Sequence, residues 1–440
     1  MNKRIHKHIF MKISRYTYLI TKSDITYWFN GISKQYFALN TNFSKKLFDA
    51  LQTELGQNEL ERQYPAFIKV LKEENFVIED GKDEIQIIRS NFENGHNSKE
   101  YKLTILPTLN CNFNCWYCIQ DHIESKMTPE TIVKIKKHII RIIQIDKIKS
   151  LNIDWFGGEP LMYFTDVIEP ISRFAIEQCT KSGIPFSNTI TTNAYYLTEQ
   201  VCSKLNELKF DAMQITLDGK RSVHNKIKKA KNDESAFDIA LNHINNALSA
   251  STHLTVLLRI NYTKGTLNNE LFDQICEHIS IENRNRVQIT LRKVWQSATD
   301  RNRKSEVRSF WGKAINNGFK VCANDFVDGI PCYADKKFYA CINYNGEAVR
   351  CTACNDLYLD APGSLGENGT IAWNKEKTKK FGTPNFENAT CLSCKHLPLC
   401  LGGCNNHRHT PDEKFLCEQD NRDFTFEEAI ENYIDYDTIS

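Results

Sequence analysis

Three cysteines fall within one eight-residue run, Cys111-Asn-Phe-Asn-Cys115-Trp-Tyr-Cys118. Thiols clustered this tightly read as metal ligands or redox thiols. Three thiolates do not complete a four-iron cluster, whose irons ordinarily take four. The iron left without a protein ligand is open to substrate, by the logic that leaves catalytic zinc one free position. The competing reading is a zinc ion that borrows a distant histidine such as His122. The C-x3-C-x2-C spacing departs from the C-x2-C pairs that dominate zinc sites, and favours iron and sulfide.

The chain carries 16 cysteines in all. Cys179, Cys202 and Cys276 are isolated and read as buried small hydrophobes. Ten crowd between Cys322 and Cys417. Within them runs Cys332-x13-Gly346-x4-Cys351, then Cys391-x2-Cys394-x5-Cys400-x3-Cys404, then Cys417. A zinc ribbon needs only four of these seven thiols.

Composition narrows the setting. The sequence is 41% hydrophobic, 25% charged and 11% aromatic, which excludes wholesale disorder. The net charge of +2 gives no basic field for nucleic acid. Apolar runs such as Leu254–Ile260 fall far short of the roughly 18 residues of a membrane span. The start, Met1-Asn-Lys-Arg-Ile-His-Lys-His, is basic but lacks the apolar core and cleavage site of a signal peptide. A cytoplasmic protein is expected, and at 440 residues two or three domains.

The elements that must position these residues alternate along the middle of the chain. Strands are expected at Leu103–Leu106, Asn152–Phe156, Phe186–Thr192, Met213–Leu217, Leu254–Tyr262 and Val287–Leu291. Helices are expected at Pro129–Ile148, Asp166–Lys181, Thr198–Leu208, Ser235–Ala250 and Asn268–Ile279. This order implies a parallel sheet with right-handed crossovers, an open barrel or a doubly wound sheet. The N-terminal segment reads as strands at Tyr16–Ile20 and Gln35–Ala38 and helices at Phe43–Leu51 and Glu59–Glu74. A hairpin of Phe76–Glu79 and Glu84–Ile88 follows, and Arg89–Glu100 reads as a linker. That order suits a winged-helix-like module.

The Cys111–Cys118 run resembles the radical SAM enzymes, whose signature is C-x3-C-x-aromatic-C, with Tyr117 at the aromatic position. The resemblance implies that the open iron chelates the amino and carboxylate groups of S-adenosylmethionine (SAM). One electron then releases methionine and a 5′-deoxyadenosyl radical that abstracts hydrogen. Gly157-Gly158-Glu159 looks like the family's GGE motif, which binds the methionine amino group. Two glycines at a strand end allow close approach to a ligand, and Glu159 suits a cationic amine. Thr191-Thr192-Asn193 resembles the polar strand end near the SAM ribose, and Thr216-Leu217-Asp218-Gly219 the S-[IL]-D-G turn. Arg259 and Asn261 are expected to reach the SAM carboxylate or ribose. These positions close parallel strands, where α/β folds place active sites.

The C-terminal cysteine string resembles the SPASM extension of radical SAM enzymes that act on peptides. It implies two auxiliary clusters, hence three [4Fe-4S] clusters in all. Cys332, Cys351 and Cys404 would hold the nearer one, with Cys341 as a fourth ligand. Cys391, Cys394, Cys400 and Cys417 would hold the farther one. Cys322 and Cys354 stay open between ligand, redox thiol and hydrogen donor. The N-terminal segment is similar to PqqD-like leader-recognition modules, to which a precursor's leader adds a strand. Its near-balanced charge argues against DNA.

The expected architecture is therefore a partial (β/α)6 radical SAM barrel at residues 100–310. A winged-helix-like domain precedes it at 10–90, a Cys-rich SPASM domain follows at 322–420, and an acidic surface helix covers 421–440. The expected function is maturation of a ribosomally made precursor peptide by a thioether or carbon–carbon crosslink. An external flavodoxin or ferredoxin would supply electrons, and neither nucleic acid nor membrane is an expected partner. The runner-up is a sulfatase-maturing enzyme, which usually carries an acidic base where this chain has Thr352. An inert cluster-bearing protein is the non-enzymatic alternative.

Overall fold

The computed structural model describes residues 10–230, 234–294, 296–297, 303–323, 329–353, 360–405, 417 and 423–437. Cys354 lies outside them. The chain divides into two compact units. The smaller takes the described residues of Met1–Gly95, Asn324–Pro331 and Pro384–Ile434, and the larger those of His96–Ala323, Cys332–Thr383 and Asp435–Ser440.

The smaller unit begins with β1 (Met11–Ile13), β2 (Thr17–Lys22), β3 (Ile25–Asn30) and β4 (Tyr36–Asn40). Helices α1 (Thr41–Leu51), α2 (Glu54–Gln63) and α3 (Pro65–Glu73) follow, then β5 (Val77–Glu79) and α4 (Glu84–His96). Strands β2, β3 and β4 form an antiparallel sheet in that order, and β1 pairs with β5. β3 was not expected, because Tyr27-Trp28-Phe29 is apolar on both faces and shows no alternation. Trp28 is fully buried and donates to Ser44 Oγ at 2.8 Å. The single helix expected at Glu59–Glu74 breaks before Pro65, which opens α3, where a missing N–H leaves nothing unpaired.

The expected second hairpin strand and linker are instead one helix, α4. Its Ile88 and Phe92, four residues apart on one face, are buried against Tyr16, Phe386, Cys391 and Leu397. The first ninety residues therefore share a core with the cysteine-bearing segment 384–434. The tail helix Phe426–Tyr436 also differs from a plain surface helix. It buries Phe426, Ala429 and Ile430 against Tyr18, Phe29 and Leu399.

The larger unit runs β6 (Glu100–Ile105), α5 (Pro129–Gln144), β7 (Ser150–Trp155), α6 (Glu169–Lys181), β8 (Phe186–Thr192) and α7 (Glu199–Cys202). Next come β9 (Phe210–Leu217), α8 (Arg221–Lys228), α9 (Ala236–Ala250), β10 (Thr255–Tyr262), α10 (Asn269–His278) and α11 (Ile281–Arg284). It continues with β11 (Val287–Lys293), α12 (Lys304–Asn316), β12 (Lys320–Val321), β13 (Tyr339–Ile342), β14 (Glu347–Val349), β15 (Gly363–Leu365) and β16 (Ile371–Trp373). All these strands lie in one sheet, ordered β12-β11-β10-β9-β8-β7-β6-β13-β14-β15-β16. From β6 to β12 each strand is parallel to its chain predecessor and beside it. From β6 to β12 the order does not reverse as it would in a doubly wound sheet; β13 then joins on the far side of β6, also parallel.

The helices follow local chemistry. Thr128 caps α5, its side chain accepting from Thr131 N, with Pro129 in the first turn and Ile135, Ile139 and Ile142 buried. α7 is one turn, shorter than expected, and α8 and α12 were not anticipated. Among the described residues no helix is long and apolar enough to cross a membrane.

One buried histidine makes this unit sensitive to acid. His138 Nδ1 lies 2.8 Å from Gly369 O and so carries the proton, while Nε2 accepts from Tyr101 OH at 2.9 Å. Burial holds its pKa below the ordinary value of 6.5. The unfolded chain then binds a proton that the folded one refuses, so this stability is present above about pH 6.5 and lost as pH falls below it. Thermal unfolding followed by circular dichroism should show a lower midpoint near pH 5.5 than near pH 7.5. His138→Gln should remove one proton's share of that slope, up to about 1.4 kcal/mol per pH unit; an unchanged slope would refute the assignment.

Candidate functional site

The loop bearing Cys111, Cys115 and Cys118 joins β6 to α5 and is held by the exit of β7. Gly158 N donates to Thr108 O at 3.1 Å and Glu159 N to Asn110 O at 2.9 Å. A Cβ at Gly157, whose φ is +121°, would sit 2.3 Å from Thr108 O, and one at Gly158 would sit 1.9 Å from Asn110 O. The close approach that the two glycines permit is thus to the chain's own run into Cys111. Gly158→Ala should push that loop away, destabilise the fold by about 2–4 kcal/mol and lower iron uptake. A wild-type melting temperature and iron content would refute this.

Glu159 is fully buried. Its carboxylate accepts from Leu161 N at 3.0 Å, Thr192 Oγ1 at 2.7 Å and Asn193 N at 2.8 Å. Burial raises its pKa against these three donors. It clamps the ends of β7 and β8 together from behind the cavity wall.

In front of these strand ends lies a cavity of about 480 Å³, within the range of small-molecule sites. It brings together Cys111, Cys115, Tyr117, Cys118, Gly157, Gly158, Thr192, Asn193, Arg259 and Asn261. Glu159 and Asp218 are the expected SAM-contacting residues that do not line it. Sequence reasoning passed over Gln214, Lys228, Lys293, Gln296 and Tyr333, and singled out Thr352 only as the place of the acidic base in sulfatase-maturing enzymes. Thr352 Oγ1 lies 2.9 Å from Tyr333 OH. Among the described lining residues there is no Asp or Glu. His122 lines the cavity too, its pKa lowered by burial.

Asp218 sits directly behind the wall and organises a buried network. Its Oδ1 accepts from Tyr117 OH, and from Asn261 Nδ2 at 3.2 Å. Arg259 Nε donates in turn to Asn261 Oδ1 at 2.9 Å. The expected residues of β9 and β10 are thereby tied to the aromatic position of the cysteine loop.

The thiols suit a metal cluster. Burial pushes Cys111 up to about 12, and Cys115 is raised for the same reason. Such thiols ionise when a metal supplies the compensating charge. Phe113 N lies 3.4 Å and Asn193 Nδ2 3.8 Å from Cys111 Sγ, both placed to donate to a thiolate. The side-chain nitrogen of Asn112 is buried there without a partner. Among the described residues no three His, Cys, Asp or Glu side chains are close enough to share a single metal ion.

The later cysteines fall in both units. Cys332, Cys341 and Cys351 belong to the larger one, where Cys341 is fully buried in β13 and packs in one core cluster with Cys351. Cys391, Cys394, Cys400, Cys404 and Cys417 belong to the smaller. Burial raises the pKa of Cys394, and the charges of Cys391 and Cys417 raise it further. Cys179 and Cys202 are buried as expected, and Cys276 is half-buried.

Residues 105–266 match the Radical SAM superfamily, and the chain contains a radical SAM domain. Over 206 residues, 38% of this chain, it is 29% identical to the radical SAM cyclopropyl synthase TigE of Paramaledivibacter caminithermalis. That match spans 42% of the relative's length. Among solved structures, native anSMEcpe with bound AdoMet and Cp18Cys peptide is similar at a TM-score of 0.55 and 16% identity, over 76% of this chain and 97% of that one. Streptococcus suis SuiB bound to precursor peptide SuiA is similar at a TM-score of 0.53 and 16% identity, over 93% and 99%. At these identities the structural likeness is one of fold.

Proposed function

We propose that this protein is a radical SAM peptide maturase that crosslinks a ribosomally made precursor. The observation that carries the reading is the cavity itself. Three half-buried or exposed thiols from one loop face the polar carboxyl ends of parallel strands. Cys111, Cys115 and Cys118 would hold the cluster. The wall residues Thr192, Asn193, Arg259 and Asn261 would orient SAM. When bound, these groups supply a deoxyadenosyl radical that takes hydrogen from an unactivated carbon. The protein's part is to hold the substrate carbon in line and keep water out. The unreversed order of β6 to β12 supports a partial barrel.

The formylglycine alternative loses ground at Thr352. Thr352 reaches the cavity where an acidic base would be wanted, and no carboxylate lines the cavity among the described residues. Cys391, Cys394, Cys400 and Cys417 would hold one SPASM cluster, and Cys332, Cys341 and Cys351 would be ligands of another, to carry away the substrate's surplus electron. The β2–β3–β4 sheet, with β4 at its edge, is the natural seat for a leader strand. A cytoplasmic flavodoxin or ferredoxin would be the electron source.

The test is anaerobic reconstitution with iron and sulfide, then SAM and dithionite with and without the precursor. Deoxyadenosine release and a peptide lighter by two hydrogens are expected. Bound zinc with negligible labile sulfide would overturn the reading.

A further inference from the structure

Lys228 ends α8 with its side chain almost wholly buried. Its Nζ lies 3.5 Å from Tyr117 OH and 3.5 Å from Asp218 Oδ2. It also stands 5.8 Å over the ring of Phe113, and its charge acts on the Cys115 thiol, opposing the upward push of burial. Three of these four partners belong to the cysteine loop. Isolated buried ammonium groups are costly, and they persist where anionic partners compensate them.

The compensation visible here is incomplete. Asp218 Oδ2 accepts no hydrogen bond and faces Lys228 and, also at 3.5 Å, His224 Nδ1. That nitrogen accepts from Asp218 N at 3.2 Å, so it carries no proton, and burial holds His224 neutral. Lys228 is therefore the cation facing this oxygen, and it lines the same cavity as the three thiols.

We infer that Lys228 is a positioning residue for the cluster held by Cys111, Cys115 and Cys118. Its ammonium fixes the Phe113–Tyr117 limb of the loop against the end of β9. It also stabilises the extra negative charge that the cluster carries after one-electron reduction. The inference rests on the reading proposed above.

The test is a redox titration of the reconstituted full-length protein, followed by electron paramagnetic resonance on the signal that SAM perturbs. Lys228→Met should shift that cluster about tenfold toward the oxidised form at fixed potential, equivalent to 59 mV for one electron. Lys228→Arg, which keeps the charge, should stay within about threefold of wild type. Asp218→Asn removes the competing anion, so it should shift the cluster the opposite way. Shifts of the same sign in Lys228→Met and Asp218→Asn, or none in either, would overturn the inference. Should Lys228→Met fail to bind iron, Asp218→Asn and Lys228→Arg carry the decision, with unchanged and opposite outcomes read as above. A wild-type protein that forms no iron–sulfur cluster would instead defeat the underlying functional reading.

Discussion

Cys115→Ala protein, reconstituted under the same conditions as wild type, should release no measurable 5′-deoxyadenosine. The expected loss is at least about three orders of magnitude, because the three thiols act as one unit and removing one member removes the function. The substitution takes away a sulfur that faces the cavity rather than a core side chain, so circular dichroism of the apo protein should be unchanged. Iron content should fall by the share of one cluster only. Cys391 and its neighbours belong to the other compact unit, and none of the later cysteines lies on the Cys111–Cys118 loop. Retained deoxyadenosine release would refute the assignment of this loop. Loss of all bound iron would instead mean that the clusters assemble cooperatively.

The cysteine loop was legible because its chemistry is local, with three thiols in eight residues at a strand end. The parallel strands were legible as well, since buried strands separated by amphipathic helices keep simple periods. What escaped depends on partners distant in the chain. Lys228 looks like one lysine among several at the end of a polar helix, and its meaning comes from Tyr117, 111 residues away. Glu159 read as an open carboxylate because nothing nearby announces Thr192 and Asn193, which bond it from the next strand. α4 was misread because Glu-Ile-Gln-Ile alternates over four residues, whereas the helical recurrence of Ile88 and Phe92 needs a longer window. The joining of α4 to the segment 384–434 is a tertiary fact with no local signal.

That joining decides how the leader hypothesis has to be tested. Deleting residues 1–90 would strip Tyr16, Phe29 and Ile88 from cores they share with Phe386, Leu397 and Ile430, and the damage would not be specific to peptide binding. A single change on β4 is cleaner. The bonds Asn30 N to Gln35 O and Thr41 N to Asp24 O fix the phase of the β3–β4 ladder. Phe37 and Leu39 therefore bond to β3, while the N–H groups of Tyr36 and Ala38 point to the open edge. Ala38→Pro removes one outward donor and no ladder bond, which edge strands tolerate. A leader that adds here loses one main-chain hydrogen bond and meets the proline ring. Its KM should rise about 10–100-fold, corresponding to roughly 1.4–2.8 kcal/mol. Deoxyadenosine release without peptide is the comparison, and it should fall much less than precursor turnover. If KM for the precursor is unmoved while the variant melts like wild type, the leader does not pair with this edge. Equal losses in both assays would mean that β4 serves packing alone.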